Sequence, residues 1–236
     1  VQPRHEGFDA AFAVASPIPG WLTEGQARCL FDSAQAVPEG GTVVEIGSHQ
    51  GRSSVVLAAA LPRGARLVAV DPFPEDWRYG APGTEAIFRR NVAAAGAAAN
   101  VDLRVATSRE VRSAWQGPLD LLYIDGKHDY WTCRDDLRWT AHVVAGGTVL
   151  VHDAFSSLGV TTALLRELAT TRTLRYTGRV GSLARLEVAR PGVRDRLRPA
   201  ADLPWWARNL VVKVLLRLRL RRLAALLGHH GRADPF

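Results

Sequence analysis

The sequence predicts an α/β protein: a doubly wound, seven-stranded sheet, mostly parallel, with a C-terminal antiparallel hairpin and helices on both faces. Three observations predict it. Short β-branched or Leu-rich runs alternate with Ala/Leu-rich helical stretches from Val43 to Val151, the pattern of repeated strand-helix-strand crossovers. The strands read as unbroken apolar runs, as strands buried on both faces do. Polar residues capable of chemistry stand where these runs end, and open parallel sheets bind ligands there.

The elements follow in order. Val1–Gly20 carries Pro3, Pro17, Pro19 and Gly20 and reads as a wrap or a cover over a site entrance. Thr23 and Gln26 have capping-box spacing and start a helix over 24–36. Trp21, just before it, is an anchor or core. Val43, Val44 and Ile46 form the first strand, and Gly47 and Gly51 bracket the turn into an apolar helix over 55–61. Glycine suits a sharp turn that a ligand approaches, and the helix start offers unpaired N–H groups. The spacing is not the dinucleotide fingerprint, because His49 stands where its second Gly belongs. A nicotinamide cofactor is disfavoured, and an ordinary strand-to-helix turn is the alternative.

Arg66–Asp71 is the second strand, and Asp71 falls where a doubly wound sheet places a carboxylate against the ribose of an adenosine cofactor. Phe73–Gly83, with Trp77 and Tyr79, is a lid or a packed connection. A helix over 84–97, capped by Thr84, leads to the third strand, Val101–Ala106, whose end makes Ser108 a candidate adenine contact. Leu119–Ile124 is the fourth strand and ends in Asp125-Gly-Lys-His128. A helix over 129–144 carries Trp131, Leu137, Trp139 and Val143 at core spacing. Gly146 and Gly147 turn the chain into the fifth strand, 148–151, which ends in His152-Asp153. After a helix over 158–170, residues 174–176 and 182–188 form a hairpin through Gly178 and Gly181. Breakers in Pro191–Pro199 divide the chain into a helical cap (1–41), a main domain (42–189) and a basic amphipathic extension (190–236).

The chain of 236 residues is 47% apolar, enough for one large core. Two cysteines, Cys29 and Cys133, make no disulfide framework and no metal-ligand spacing. With no signal pattern and no uncharged apolar run of membrane length, the expected location is the cytoplasm. Of the net charge of +7, +6 belongs to residues 203–236, so the folded body offers no basic stripe for nucleic acid. In Leu203–Gly228, Val212, Leu216, Leu220, Leu223 and Leu227 recur at helical spacing among arginines, after two tryptophans. Such a helix suits the inner face of an anionic membrane, or packs on the domain or a second subunit.

Glu45, Asp71, Ser108, Asp125, His128, His152 and Asp153 converge from five strand ends. Asp125, His152 and Asp153 could hold Mg²⁺ or Mn²⁺. His128, three residues past Asp125, is the candidate general base, since imidazole titrates near neutral pH. Each histidine taken singly has a structural role as its alternative.

The segments E-I-G-S-H-Q-G-R-S, V-D-P-F, D-L-L-Y-I-D-G-K-H-D-Y and G-G-T-V-L-V-H-D resemble the class I S-adenosylmethionine-dependent methyltransferases. They look most like the small metal-dependent O-methyltransferases of sugars and natural products. The resemblance covers 43–153 and implies a Rossmann-like fold. It implies that Glu45, Gly47, Ser48 and Gly51, with Ser53, surround the methionine part of the cofactor and that Asp71 holds its ribose. Asp125 joins that set and, with Asp153, matches the metal-binding acids; His128 matches the base. His152 departs from the pattern, since several relatives carry an acid there. The implied acceptor is a hydroxyl of a saccharide or glycosylated small molecule, and the implied assembly a homodimer. A phenol or catechol O-methyltransferase is the alternative enzyme, and a non-catalytic cofactor-binding module recruited by its tail the alternative of another class.

Overall fold

Five strands, β1 (Thr42–Ile46), β2 (Arg66–Val70), β3 (Val101–Arg104), β4 (Leu119–Ile124) and β5 (Val143–Val151), run parallel. The structure is a computed structural model and describes residues 4–75 and 81–229. β6 (Leu174–Val180) and β7 (Leu183–Val188) form an antiparallel hairpin, with β7 inserted beside β5. The order β3-β2-β1-β4-β5-β7-β6 reverses direction between β1 and β4. That reversal leaves a crevice at the carboxyl ends of those two strands.

All five residues of β1 are buried. Because strand side chains alternate between faces, Val43 joins one core while Val44 and Ile46 join the other. The first core is filled by α1 (Arg4–Ala15), α2 (Glu24–Gln35), α3 (Arg52–Ala60) and α4 (Thr84–Ala94), through Phe8, Leu30, Leu57 and Phe88. The second is covered by α5 (Ser108–Ser113), α6 (Tyr130–Asp136) and α7 (Leu158–Thr170). Then come α8 (Val193–Leu197), α9 (Leu203–Arg217) and α10 (Arg221–Leu226), with Trp205 and Trp206 of α9 packed against the second core. No helix among the described residues is long and apolar enough to cross a membrane.

Several local expectations need correction. α1 forms despite the flanking breakers, because Phe8, Ala11 and Ala15 bury one face. Thr23 and Gln26 do make the reciprocal capping box. Thr84 does not cap α4 from outside; it is the first helical residue, and its hydroxyl bonds Ala81 O. The single helix over 129–144 is instead α6, then a 3₁₀ turn over Leu137–His142, then β5 from Val143. That change of period breaks the predicted face: Trp139 is fully buried, whereas Trp131 is 71% exposed. Gly146 and Gly147 lie within β5, and Gly178 within β6. The breaker-rich 191–199 segment holds α8, whose start is capped by the Asp195 carboxylate on Gly192 N–H. Residues 76–80 of the expected lid, Trp77 and Tyr79 included, lie outside the described residues.

Trp139 packs edge-on against Trp115, ring centroids 5.2 Å apart. Trp139→Ala should cost about 3–5 kcal/mol in urea unfolding. Trp131→Ala, at a solvent-facing site, should stay within about 0.5 kcal/mol of the parent.

Candidate active site

A cavity of about 940 Å³ opens at the carboxyl ends of β1, β2, β4 and β5. Its size suits a ligand bound over most of its surface. Gly47, Ser48, Ser53, Asp71, Ser108, Asp125, His128, His152 and Asp153 all line it. Pro19, Gly20 and Trp21 line it too, so the segment before α2 borders the opening.

Gly47 is required twice over. Its φ is +85°, and a Cβ there would stand 2.2 Å from Asp125 O, so only glycine lets the end of β1 lie against the end of β4. Asp71 then fastens the turn: its Oδ2 accepts from Ser48 N (2.9 Å) and His49 N (2.8 Å), and its Oδ1 from Phe73 N (2.7 Å). A carboxylate offers about four acceptor positions. Three are taken by backbone, so the expected clamp on both ribose hydroxyls is reduced to about one free position.

Two residues assigned to the cofactor do not reach the cavity. Glu45 is fully buried beneath the turn and accepts the hydroxyls of Ser53 (2.5 Å), Ser48 (2.9 Å) and Ser54. It organises the loop from below. Gly51 faces away, its missing Cβ making room for Phe88 at 3.1 Å. Burial pushes the Glu45 carboxyl up to about 7, against the lowering effect of the three hydroxyls.

Ser108 begins α5, and its hydroxyl is spent on Asp136 Oδ1. Asp136 was not legible as a site residue, since it falls inside the 129–144 helix read as core and becomes a helix end only in the structure. It is buried, lines the cavity and keeps Oδ2 without a partner. Burial pushes its carboxyl up to about 7, with Ser108 opposing. The Ser108–Asp136 pair, rather than Ser108 alone, is therefore the polar feature at this end.

At the other end, two acids and two imidazoles interlock. His128 Nδ1 is 2.9 Å from Asp153 Oδ2, and its Nε2 is 3.6 Å from Asp125 Oδ1. His152 Nδ1 is 3.2 Å from Asp125 Oδ1, and its Nε2 is 3.4 Å from Gln26 Oε1. Asp153 has φ +55°, a left-handed turn that Asp tolerates better than most residues. Gly159, which no motif signalled, lets α7 start against His128 O, 2.6 Å from where a Cβ would be. Ser157 Oγ donates to the same carbonyl at 3.1 Å.

The His128 imidazole is held between two carboxylates rather than standing alone. Burial lowers the His128 value, but hydrogen bonds to Asp125 and Asp153 outweigh it and push the ring up to about 10. The acids move the other way: burial raises both, and the two imidazoles hold both below the usual carboxylate range. The expected metal centre is not assembled. Among the described residues no group of three or more His, Cys, Asp or Glu side chains stands ready to hold a metal ion. The His128 ring takes up the contact between Asp125 and Asp153 instead.

Comparisons with known proteins agree with this architecture. A family model described as a methyltransferase domain matches residues 44–154. A catechol O-methyltransferase of Niastella koreensis is 24% identical over 115 residues, 47% of this chain and 48% of the relative. The chain thus spans about half the length of that curated relative. An O-methyltransferase from Bacillus cereus, solved with S-adenosylhomocysteine, shares the fold at a TM-score of 0.58 and 18% identity, over 79% of this chain and 93% of its own. The O-methyltransferase TomG from Streptomyces achromogenes, involved in tomaymycin synthesis and solved with S-adenosylmethionine, gives 0.59 and 20%, over 78% and 90%. Seven strands in this order around this cavity define a Rossmann-like methyltransferase fold. The methyltransferase-domain match covers residues 44–154, a little under half of the chain, and the solved O-methyltransferases share its fold.

The raised Glu45 value carries a sign. A carboxyl raised from 4.5 to about 7 in the folded state gives stability that is complete below its unfolded value and lost as pH rises through the folded one. Each pH unit between those two values is worth about 1.4 kcal/mol. Denaturant unfolding from pH 4.5 to 7.5 should therefore show the parent losing about 3 kcal/mol relative to Glu45→Gln. Parallel pH profiles for the two proteins would contradict a protonated Glu45.

Proposed function

We propose that this chain transfers a methyl group from S-adenosylmethionine to a hydroxyl oxygen of a small phenol- or catechol-type acceptor. The donor half of the cavity supports the first part. Gly47 removes side-chain bulk, Asp71 fixes the loop, and Ser108 with Asp136 supplies polar atoms to a base at the far end. Bound there, S-adenosylmethionine would supply the electrophilic methyl.

The observation that carries the reaction type is the His128–Asp153 contact of 2.9 Å. Once deprotonated, the ring keeps Nδ1–H on Asp153 and presents Nε2, 3.6 Å from Asp125 Oδ1, as the acceptor for a hydroxyl proton; with its value raised to about 10, that neutral form is the minor one near pH 7 and grows as pH rises. Asp153 and Asp125 then stabilise the imidazolium that forms, the second function of a carboxylate paired with a catalytic imidazole. The protein's remaining contribution is to hold oxygen and methyl in line.

The relation to a catechol O-methyltransferase favours the phenol or catechol reading over the saccharide one. Acidity favours it as well. A phenol loses its proton near pH 10, the range to which His128 is pushed, and proton transfer between matched groups costs little.

A divalent cation belongs to the same proposal on narrow ground. His152 Nδ1 and Asp153 Oδ1 are buried 3.7 Å apart and, though Nδ1 is 3.2 Å from Asp125 Oδ1, neither atom has a well-aligned hydrogen bond; Mg²⁺ needs only one or two carboxylates alongside water and substrate. Asp125 and Asp153 would hold it, and it would supply positive charge beside the acceptor oxygen.

His128→Ala should lower methyl transfer to catechol by at least about 10²-fold, with S-adenosylmethionine affinity by calorimetry unchanged. Retained turnover would reject His128 as the base. Calorimetric titration with Mg²⁺ or Mn²⁺ should give saturable binding that Asp153→Asn weakens. A featureless titration of the parent protein would remove the cation from the proposal.

A further inference from the structure

The C-terminal helices have two unlike sides. One side of α9 is fixed to the domain: Asn209 and Val212 are fully buried, and Trp205 lies under the Arg179 guanidinium at 3.9 Å. Asn209 Nδ2 donates to Phe155 O at 3.1 Å, and Lys213 Nζ to Ser156 O at 2.9 Å. These carbonyls belong to the turn that follows Asp153, so α9 braces the acidic end of the cavity. Lys213 itself lines that cavity.

The other side is apolar and open. Val211, Val214 and Leu218, at helical spacing, are exposed, Leu218 by 62%. The helix breaks at Arg219, with φ +62°, and α10 continues the surface through Leu223 and Leu226, the latter 82% exposed. The predicted single stripe is therefore split: Val212 faces the domain while Leu220, Leu223 and Leu227 face out. Arg217, Arg219, Arg221 and Arg222 stand exposed among these residues, and no acid occurs between Leu203 and His229.

We propose that α9 and α10 form a docking surface for an anionic lipid bilayer. Clustered exposed leucine and valine mark a contact surface, and the uniform positive charge decides between occupants. Two copies meeting on this face around a two-fold axis would oppose arginines to arginines. An anionic headgroup layer satisfies those arginines while the leucines and valines enter the acyl boundary. The cavity then sits one helix away from the membrane, a placement suited to an acceptor that partitions into lipid. The surface does not depend on the transfer chemistry, and its test reads binding alone.

The 236-residue chain is sedimented with vesicles of phosphatidylcholine, and with vesicles of phosphatidylcholine and phosphatidylglycerol. It should pellet with the mixed vesicles only, and less as salt rises. Two variants separate the contributions: Val214→Ser/Leu218→Ser removes apolar contact without adding charge, and Arg219→Gln/Arg221→Gln/Arg222→Gln removes charge. Each should lower the bound fraction by about tenfold, with melting temperature and cofactor affinity unchanged. Absence of binding to either vesicle, equal binding to both, or parent-like binding of both variants would overturn the proposal. A lipid-free dimer in light scattering that Val214→Ser/Leu218→Ser dissociates would also overturn it, assigning the face to a second copy.

Discussion

A carbonyl pressed against a glycine joins the two halves of this molecule. Gly47 at the end of β1 and Asp125 at the end of β4 come so close that any side chain at 47 would overlap the Asp125 carbonyl. The parallel register of β1 with β4 demands that approach. Because it is met, the glycine turn after β1 and the acid-imidazole cluster share one cavity. Asp71 then ties the loop to β2, and Glu45 ties it to α3 through Ser53 and Ser54. The turn is held from three sides before any ligand arrives, so little loop ordering would be charged against binding.

Charge is distributed unevenly between the two ends of the cavity. Around His128 and His152, two acids and two imidazoles compensate one another, which lets four titratable groups stay largely buried. Beneath the loop, Glu45 has hydroxyl partners but no cation in contact, and burial favours its proton. Asp136 behaves in the same way. Surroundings alone thus hold Asp125 and Asp153 below the usual carboxylate range and push Asp136 and Glu45 above it. The anionic end is the one that can stabilise a protonated base.

The tail is part of this arrangement. Asn209 and Lys213 of α9 bond the turn after Asp153, and Tyr176 and Arg179 of β6 bond Asp202 just before α9. One side of the extension thereby becomes structural. The charge and the surplus of leucine lie on the other side.

The sequence alone determined the class of fold, because strand-helix alternation and doubly buried strands follow from the pattern of apolar residues. It also determined the positions of the strand-end acids and histidines, since strand ends collect ligand-facing residues in any parallel sheet. The departures from that reading are physical. A helical period carried through Trp131 and Trp139 failed because the chain tightens to a 3₁₀ turn after Asp136, shifting each later side chain around the axis. Glu45 and Asp71 were legible as acids of the site, but whether an acid faces ligand or backbone depends on which N–H and hydroxyl groups the fold brings to it. Asp136 and Gly159 carried no local signal, since each acquires its role from a segment distant in sequence. The charge state of His128 lay furthest out of reach. Its type and place were readable at Asp-x-x-His, but its proton affinity depends on Asp153, which only the pairing of β4 with β5 brings to 2.9 Å.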